Sequence, residues 1–131
     1  MSIAIPAPVV GVNSGYLDYA ASAAYTTSTN FNTFVNTFTN AVCIDMNVTV
    51  VSGTLPSMTV QYQRLGADGV WYTVFTSSAI TTTGAHSYLI GLISGADAVQ
   101  SPGIQGRVAI AITGTTPSFT LSYSVSGGAI G

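Results

Sequence analysis

Proton transfer near neutral pH needs a histidine or paired carboxylates, and this 131-residue chain offers His86 and four aspartates, Asp18, Asp45, Asp68 and Asp97. No two of these acids lie within twenty residues of each other in sequence. A triad of His86, Asp97 and a serine would have to be assembled by folding, and no nucleophile motif flanks a candidate serine. The sequence therefore reads His86 as a loop or strand-edge side chain, assigns no catalytic residue and points away from an enzyme. A hydrolase using His86 would lose activity on His86→Ala without losing its fold.

The other chemistry-bearing motifs are similarly sparse. Cys43 is the only cysteine, so neither an intramolecular disulfide nor a cysteine cluster for zinc can form. Asp68-Gly69 could lend one oxygen to calcium, but the alternating Asp/Asn pattern of calcium loops is missing and a hairpin turn explains the pair better. Asn47-Val48-Thr49 fits the glycosylation pattern, yet it falls within a strand. The Gly-x-Gly-like fragments are turns between strands and precede no helix, so they form no phosphate loop. No cofactor or metal site is expected.

Trp71 and Tyr72 are consecutive, so in a strand one ring faces the core and the other faces out. Trp71, the only tryptophan, is expected in the core, with Tyr72 presenting its hydroxyl outward. The reverse, an aromatic displayed for stacking on a sugar, is the basis for an alternative function as a carbohydrate-binding or adhesion module.

The elements behind these residues are strands. From about residue 43 the apolar residues alternate: Ile44, Met46, Val48 and Val50 against Asp45, Asn47 and Thr49, then Met58, Val60 and Tyr62 against Thr59, Gln61 and Gln63. Val108, Ile110 and Ile112 continue the pattern, followed by Phe119, Leu121, Tyr123 and Val125. Clusters rich in Gly and Pro lie between these runs: SGTLPS at 52–57, Ala67-Asp68-Gly69, Thr83-Gly84-Ala85, Ser101-Pro102-Gly103 and GTTPS at 114–118. Each cluster is expected to end a ladder. Short strands separated by turns predict an all-β fold, an antiparallel β-sandwich of jelly-roll or Ig-like type. Residues 52–62 (SGTLPSMTVQY) echo residues 113–123 (TGTTPSFTLSY), as two loops that reverse a strand pair with one Gly and one Pro would. Residues 30–40, NFNTFVNTFTN, have a helical spacing of phenylalanines but consist of poor helix formers, and read as an aromatic strand.

Charge bounds the function class. Asp, Glu, Lys and Arg make up 5% of the chain, against about 25% in an ordinary soluble domain, and there is no lysine and no glutamate. Two separated arginines and a net charge of −2 leave no nucleic-acid footprint. No run approaches the roughly 20 apolar residues of a spanning helix. The start, MSIAIPAPVVG, lacks the basic region and unbroken apolar core of a secretory signal and reads as mature protein. High hydrophobicity with low net charge argues against disorder. A weakly charged exterior invites association unless partners cover it.

Residues 1–24 differ from the rest, with two prolines and no clean period. They read as an extended N-terminal arm ahead of a β-sandwich domain over 25–131. Ordering such an arm costs about 1–2 kcal/mol per residue, while burying each of Ile3, Ile5, Val9, Val10, Tyr16 and Leu17 returns about 1.5–3 kcal/mol. That return does not cover the cost, so the arm is expected to order only against other subunits, with those six residues as its partner-binding side chains.

The pattern VVSGTLPSMTVQYQ, DGVWYTV, TTTGAHSYLIG and GRVAIAITGTTPSFTLSYSV resembles small β-sandwich virion structural proteins of tailed bacteriophages. With its arm, the chain is most similar to capsid cement, or decoration, proteins of cyanophage-like heads. The resemblance covers about two-thirds of the chain and rests on turns and alternating strands. It implies a capsid-surface protein of the virion that binds the major capsid protein, bridges neighbouring subunits of the assembled shell and self-associates, with a homotrimer expected. No nucleic-acid or membrane partner is implied.

Overall fold

A computed structural model describes residues 16–35, 41–91 and 105–128. It is all-β, with antiparallel pairing throughout and no helix among the described residues. The strands are β1 (Tyr16–Tyr25), β2 (Thr29–Asn30), β3 (Phe34–Val35), β4 (Ala41–Leu65), β5 (Trp71–Thr76), β6 (Gly84–Gly91) and β7 (Gln105–Gly128).

Strands β4 and β7 dominate, at 25 and 24 residues, and they pair with each other from Ala41↔Gly128 to Arg64↔Gly106. Drawn straight, either would run about 80 Å at ~3.3 Å per residue. They bend instead. The N-H of Phe31 donates to the carbonyl of Val108 at 2.9 Å, yet the Phe31 ring lies 4.4 Å, centroid to centroid, from the ring of Tyr123. Val108 and Tyr123 are fifteen positions apart on β7, about 50 Å of straight strand. The sheet is therefore doubled over, and its two halves face each other.

One half has the neighbour order β1, β7 (119–126), β4 (41–48), β6, and the other has β2 with β3, β7 (105–110), β4 (58–65), β5. Buried side chains of both halves form one cluster that includes Ile44, Met46, Val48, Leu121, Tyr123 and Val125 from the first, and Met58, Val60, Tyr62, Val108 and Ile110 from the second.

The bend lies where the two echoed segments meet. Ser52 pairs with Ser118, Thr54 with Thr115 and Ser57 with Thr113, so SGTLPS and TGTTPS lie antiparallel on one another about a local two-fold through the Thr54–Thr115 pair. Gly53 and Gly114 have φ of +111° and +124°, and Leu55 and Thr116 have φ of +50° and +45°. A β-carbon on Gly53 would sit 2.7 Å from the carbonyl oxygen of Thr116, and one on Gly114 would sit 2.8 Å from that of Leu55. These glycines permit the crossing. The expected ladder ends at 52–57 and 114–118 are thus corners inside continuous strands, because both partners bend together and pairing resumes beyond the bulges.

Three further expectations change. A register shift between Val48 and Val50 moves Val50 off the core face, leaving it 51% exposed. Within the aromatic segment only Thr29–Asn30 and Phe34–Val35 are strands; Phe34 is buried, Phe31 packs against the core, and residues 36–40 lie outside the described residues. Residues 16–24, assigned by sequence to the arm, belong to β1, which pairs with β7 of the same chain from Tyr16↔Ser126 to Tyr25↔Phe119. The physical reason is that the last turns of β7 would otherwise present a bare edge, which β1 satisfies.

Candidate functional site

Of the six residues expected to bind partners, Ile3, Ile5, Val9 and Val10 lie outside the described residues. Leu17 is partly buried and packs against the chain's own core, and Tyr16 is 36% exposed at the start of β1.

His86 sits on β6 opposite Met46, its ring parallel to that of Tyr88 at 6.3 Å. Its Nε2 is buried and has no hydrogen-bond partner among the described residues, and Asp97 lies outside them. No group of three potential metal ligands occurs among the described residues.

Trp71 is not in the core. It pairs with Leu65 on the outer face of the second half, and the Arg107 guanidinium caps its ring at 4.2 Å. Arg107 Nε donates to Gln63 Oε1 at 2.7 Å, and Gln63 Nε2 donates to Thr73 Oγ1 at 3.2 Å. The inward positions of this half are already filled by Tyr62 and Phe34, which leaves the indole to pack under a cation. Tyr72 is 45% exposed and its hydroxyl donates to Asp68 Oδ2 at 2.5 Å. Asp68 Oδ1 accepts the Val70 N-H at 3.0 Å, so both carboxylate oxygens hold the turn. These bonds, led by that from Tyr72, lower the Asp68 pKa and raise that of Tyr72.

The outer face of the first half carries a concavity of about 370 Å³. Pairing explains its composition. Tyr19, Ser124, Asp45 and Ser87 form one row across four strands, and Ser122, Asn47 and Ala85 form the next row across three. The intervening row, Tyr123, Met46 and His86, turns its side chains inward. Asp45 accepts from the Ser87 hydroxyl and, at 3.8 Å, from the Cys43 thiol. Burial, and then the charge of Asp45 and this bond, push the Cys43 pKa up.

Set against protein-family models, curated proteins and solved structures, the chain matches none.

The polar surfaces thus comprise a capped tryptophan, a carboxylate-closed turn and an open trough. In the first two, Arg107 and Asp68 are engaged by neighbouring side chains. The trough is different: no hydrogen bond engages the side chains of Asn47, Ser122 or Ser124 or the hydroxyl of Tyr19 among the described residues. Sequence periodicity marked Asp45 and Asn47 as outward, but bringing Tyr19 beside them required the β1–β7 pairing. One polar cluster also joins the halves: buried Asp18 accepts from the buried Tyr123 hydroxyl and, at 3.3 Å, from Nδ2 of the exposed Asn32.

Proposed function

We propose that the chain is a structural protein of a bacteriophage virion, a capsid cement or decoration protein on the capsid surface that binds the assembled major capsid protein shell and bridges neighbouring subunits. The observation that carries this reading is the exterior. With no lysine or glutamate in the sequence, its outer strands present Ser, Thr, Asn and Gln, a surface suited to permanent burial because few charges need desolvation. In this reading the doubled sheet is a jelly-roll sandwich, an architecture used by viral capsid and lectin domains. Fold alone does not assign function, so the surface is the weightier argument.

The N-terminal arm of this proposal comprises residues 1–15, with Ile3, Ile5, Val9 and Val10 as its contact side chains, since Tyr16–Tyr25 are engaged in β1. The protein self-associates, with a trimer as the working assembly, and the repeated copies supply strength through avidity. It catalyses no reaction. The test is co-sedimentation with undecorated capsids. The full chain is expected to bind, and a chain lacking residues 1–15 to fold but bind at least tenfold more weakly. Undiminished decoration by the truncated chain would remove the arm from the proposal, and failure of the full chain to bind any shell would overturn it.

A further inference from the structure

The trough on the outer face of the first half is not among the contact side chains assigned to residues 1–15, and its chemistry is specific. Its volume of about 370 Å³ falls within the range of small-ligand sites. Its floor mixes groups that accept, Asp45, with groups that both donate and accept: Asn47, Ser122, Ser124 and the phenol of Tyr19. Tyr16 and Tyr19 line the β1 side with aromatic rings. The lining contains no arginine, and its one basic side chain, His86, stands in the inward-turned row with Met46.

Those features discriminate among ligand classes. A phosphate or sulfate ester would meet the Asp45 carboxylate with no arginine or lysine in the lining to compensate it. An apolar ligand would strip water from the floor without replacing its hydrogen bonds, at about 1–3 kcal/mol per buried orphan group. A polyhydroxylated ring meets both demands, since each hydroxyl donates and accepts while the ring's C-H face rests on an aromatic side chain.

We propose that this trough binds a saccharide, with Asp45, Asn47, Ser122 and Ser124 hydrogen-bonding its hydroxyls and Tyr16 and Tyr19 packing on its ring. The site lies away from Trp71, whose ring Arg107 occupies. It does not depend on shell binding.

The test screens the full-length protein against an array of immobilised mono- and oligosaccharides, then titrates the best-bound sugar by NMR. Binding at micromolar to millimolar Kd is expected, with chemical-shift changes at Asn47, Ser122 and Ser124. Tyr19→Ala and Asn47→Ala should each weaken it at least tenfold while leaving thermal unfolding and capsid co-sedimentation unchanged, and Trp71→Ala should leave the affinity within twofold. No binding to any arrayed sugar at millimolar concentration would overturn the proposal. So would binding that survives both trough substitutions, or that disappears with Trp71→Ala alone.

Discussion

Side chains on the exposed turn and strands titrate in directions that their neighbours dictate. Asp68 is held as a carboxylate by the Tyr72 hydroxyl and the Val70 N-H, so its folded pKa lies below the ordinary value of about 3.9. A depressed carboxylate contributes stability that is present above the unfolded pKa and is lost as pH falls through the folded one. Carbon-detected NMR should therefore show Asp68 titrating below the model-peptide value, and Tyr72→Phe should return it toward that value. Cys43 moves the other way. Burial and Asp45 keep its thiol protonated at neutral pH, so iodoacetamide should alkylate it more slowly than a free cysteine peptide, and Asp45→Asn should speed the reaction. In the interior, Gly106 faces the Tyr62 hydroxyl, which a β-carbon would approach to 2.1 Å. Gly106→Ala should destabilise the protein by about 1–3 kcal/mol, read from urea unfolding, because the fully buried Tyr62 ring would have to shift.

At the scale of elements, the paired corners decide whether β4 and β7 can each serve two faces of the fold. Serine side chains complete the edges there: Ser77 Oγ accepts the Val60 N-H at 2.8 Å, and Ser28 Oγ accepts the Ile112 N-H at 3.0 Å. Leu55 is 87% exposed and sits at positive φ, where a non-glycine residue other than Asn or Asp is strained by about 1–2 kcal/mol. Leu55→Asn should accordingly raise stability by up to about 1 kcal/mol. Gly114→Ala, whose β-carbon meets backbone, should lower it by about 1–3 kcal/mol. Opposite signs at neighbouring positions of one corner, measured in the same denaturant series, separate local backbone strain from general sensitivity of the region. The two-fold pairing of SGTLPS on TGTTPS also accounts for the sequence echo: each segment supplies the other with the same crossing geometry, so both need Gly, Pro and small polar residues at equivalent places.

For the whole molecule, alkaline pH is the condition to which the core is most exposed. Tyr62 and Tyr123 are both pushed well above the ordinary tyrosine pKa, chiefly by burial and, for Tyr123, also by the adjacent Asp18 carboxylate. A raised folded pKa contributes stability that is fully present below the unfolded value near 10 and is lost as pH rises beyond it. Stability should therefore fall above about pH 10, by ~1.4 kcal/mol per pH unit for each tyrosine, and Tyr62→Phe should reduce that slope. Asp18, Tyr123 and Asn32 tie one half of the sheet to the other. Asp18→Ala should cost about 1–3 kcal/mol through the stranded Tyr123 hydroxyl, and chemical unfolding will report it.

The sequence by itself determined what depends on near neighbours. Period-two alternation marked Ile44, Met46, Val48, Met58, Val60, Tyr62, Leu121, Tyr123 and Val125 as core, and all of them are buried, because the backbone pleat sends alternate side chains to opposite faces. The Asp68-Gly69 turn was legible for the same reason: its bonds close within five residues, as Gly66 N-H to Val70 carbonyl at 2.8 Å illustrates. Tertiary structure alone decided what depends on partners distant in sequence. It made corners of the Gly-Pro clusters, turned Val50 outward at a bulge, drew Tyr16–Tyr25 into the sheet and left Trp71 outside the core. The trough belongs to this second group, since no local pattern can say that Tyr19, Asp45 and Ser124 will stand in one row across three strands. Register between remote strands is a cooperative property of the folded sheet, set by the sum of its pairings.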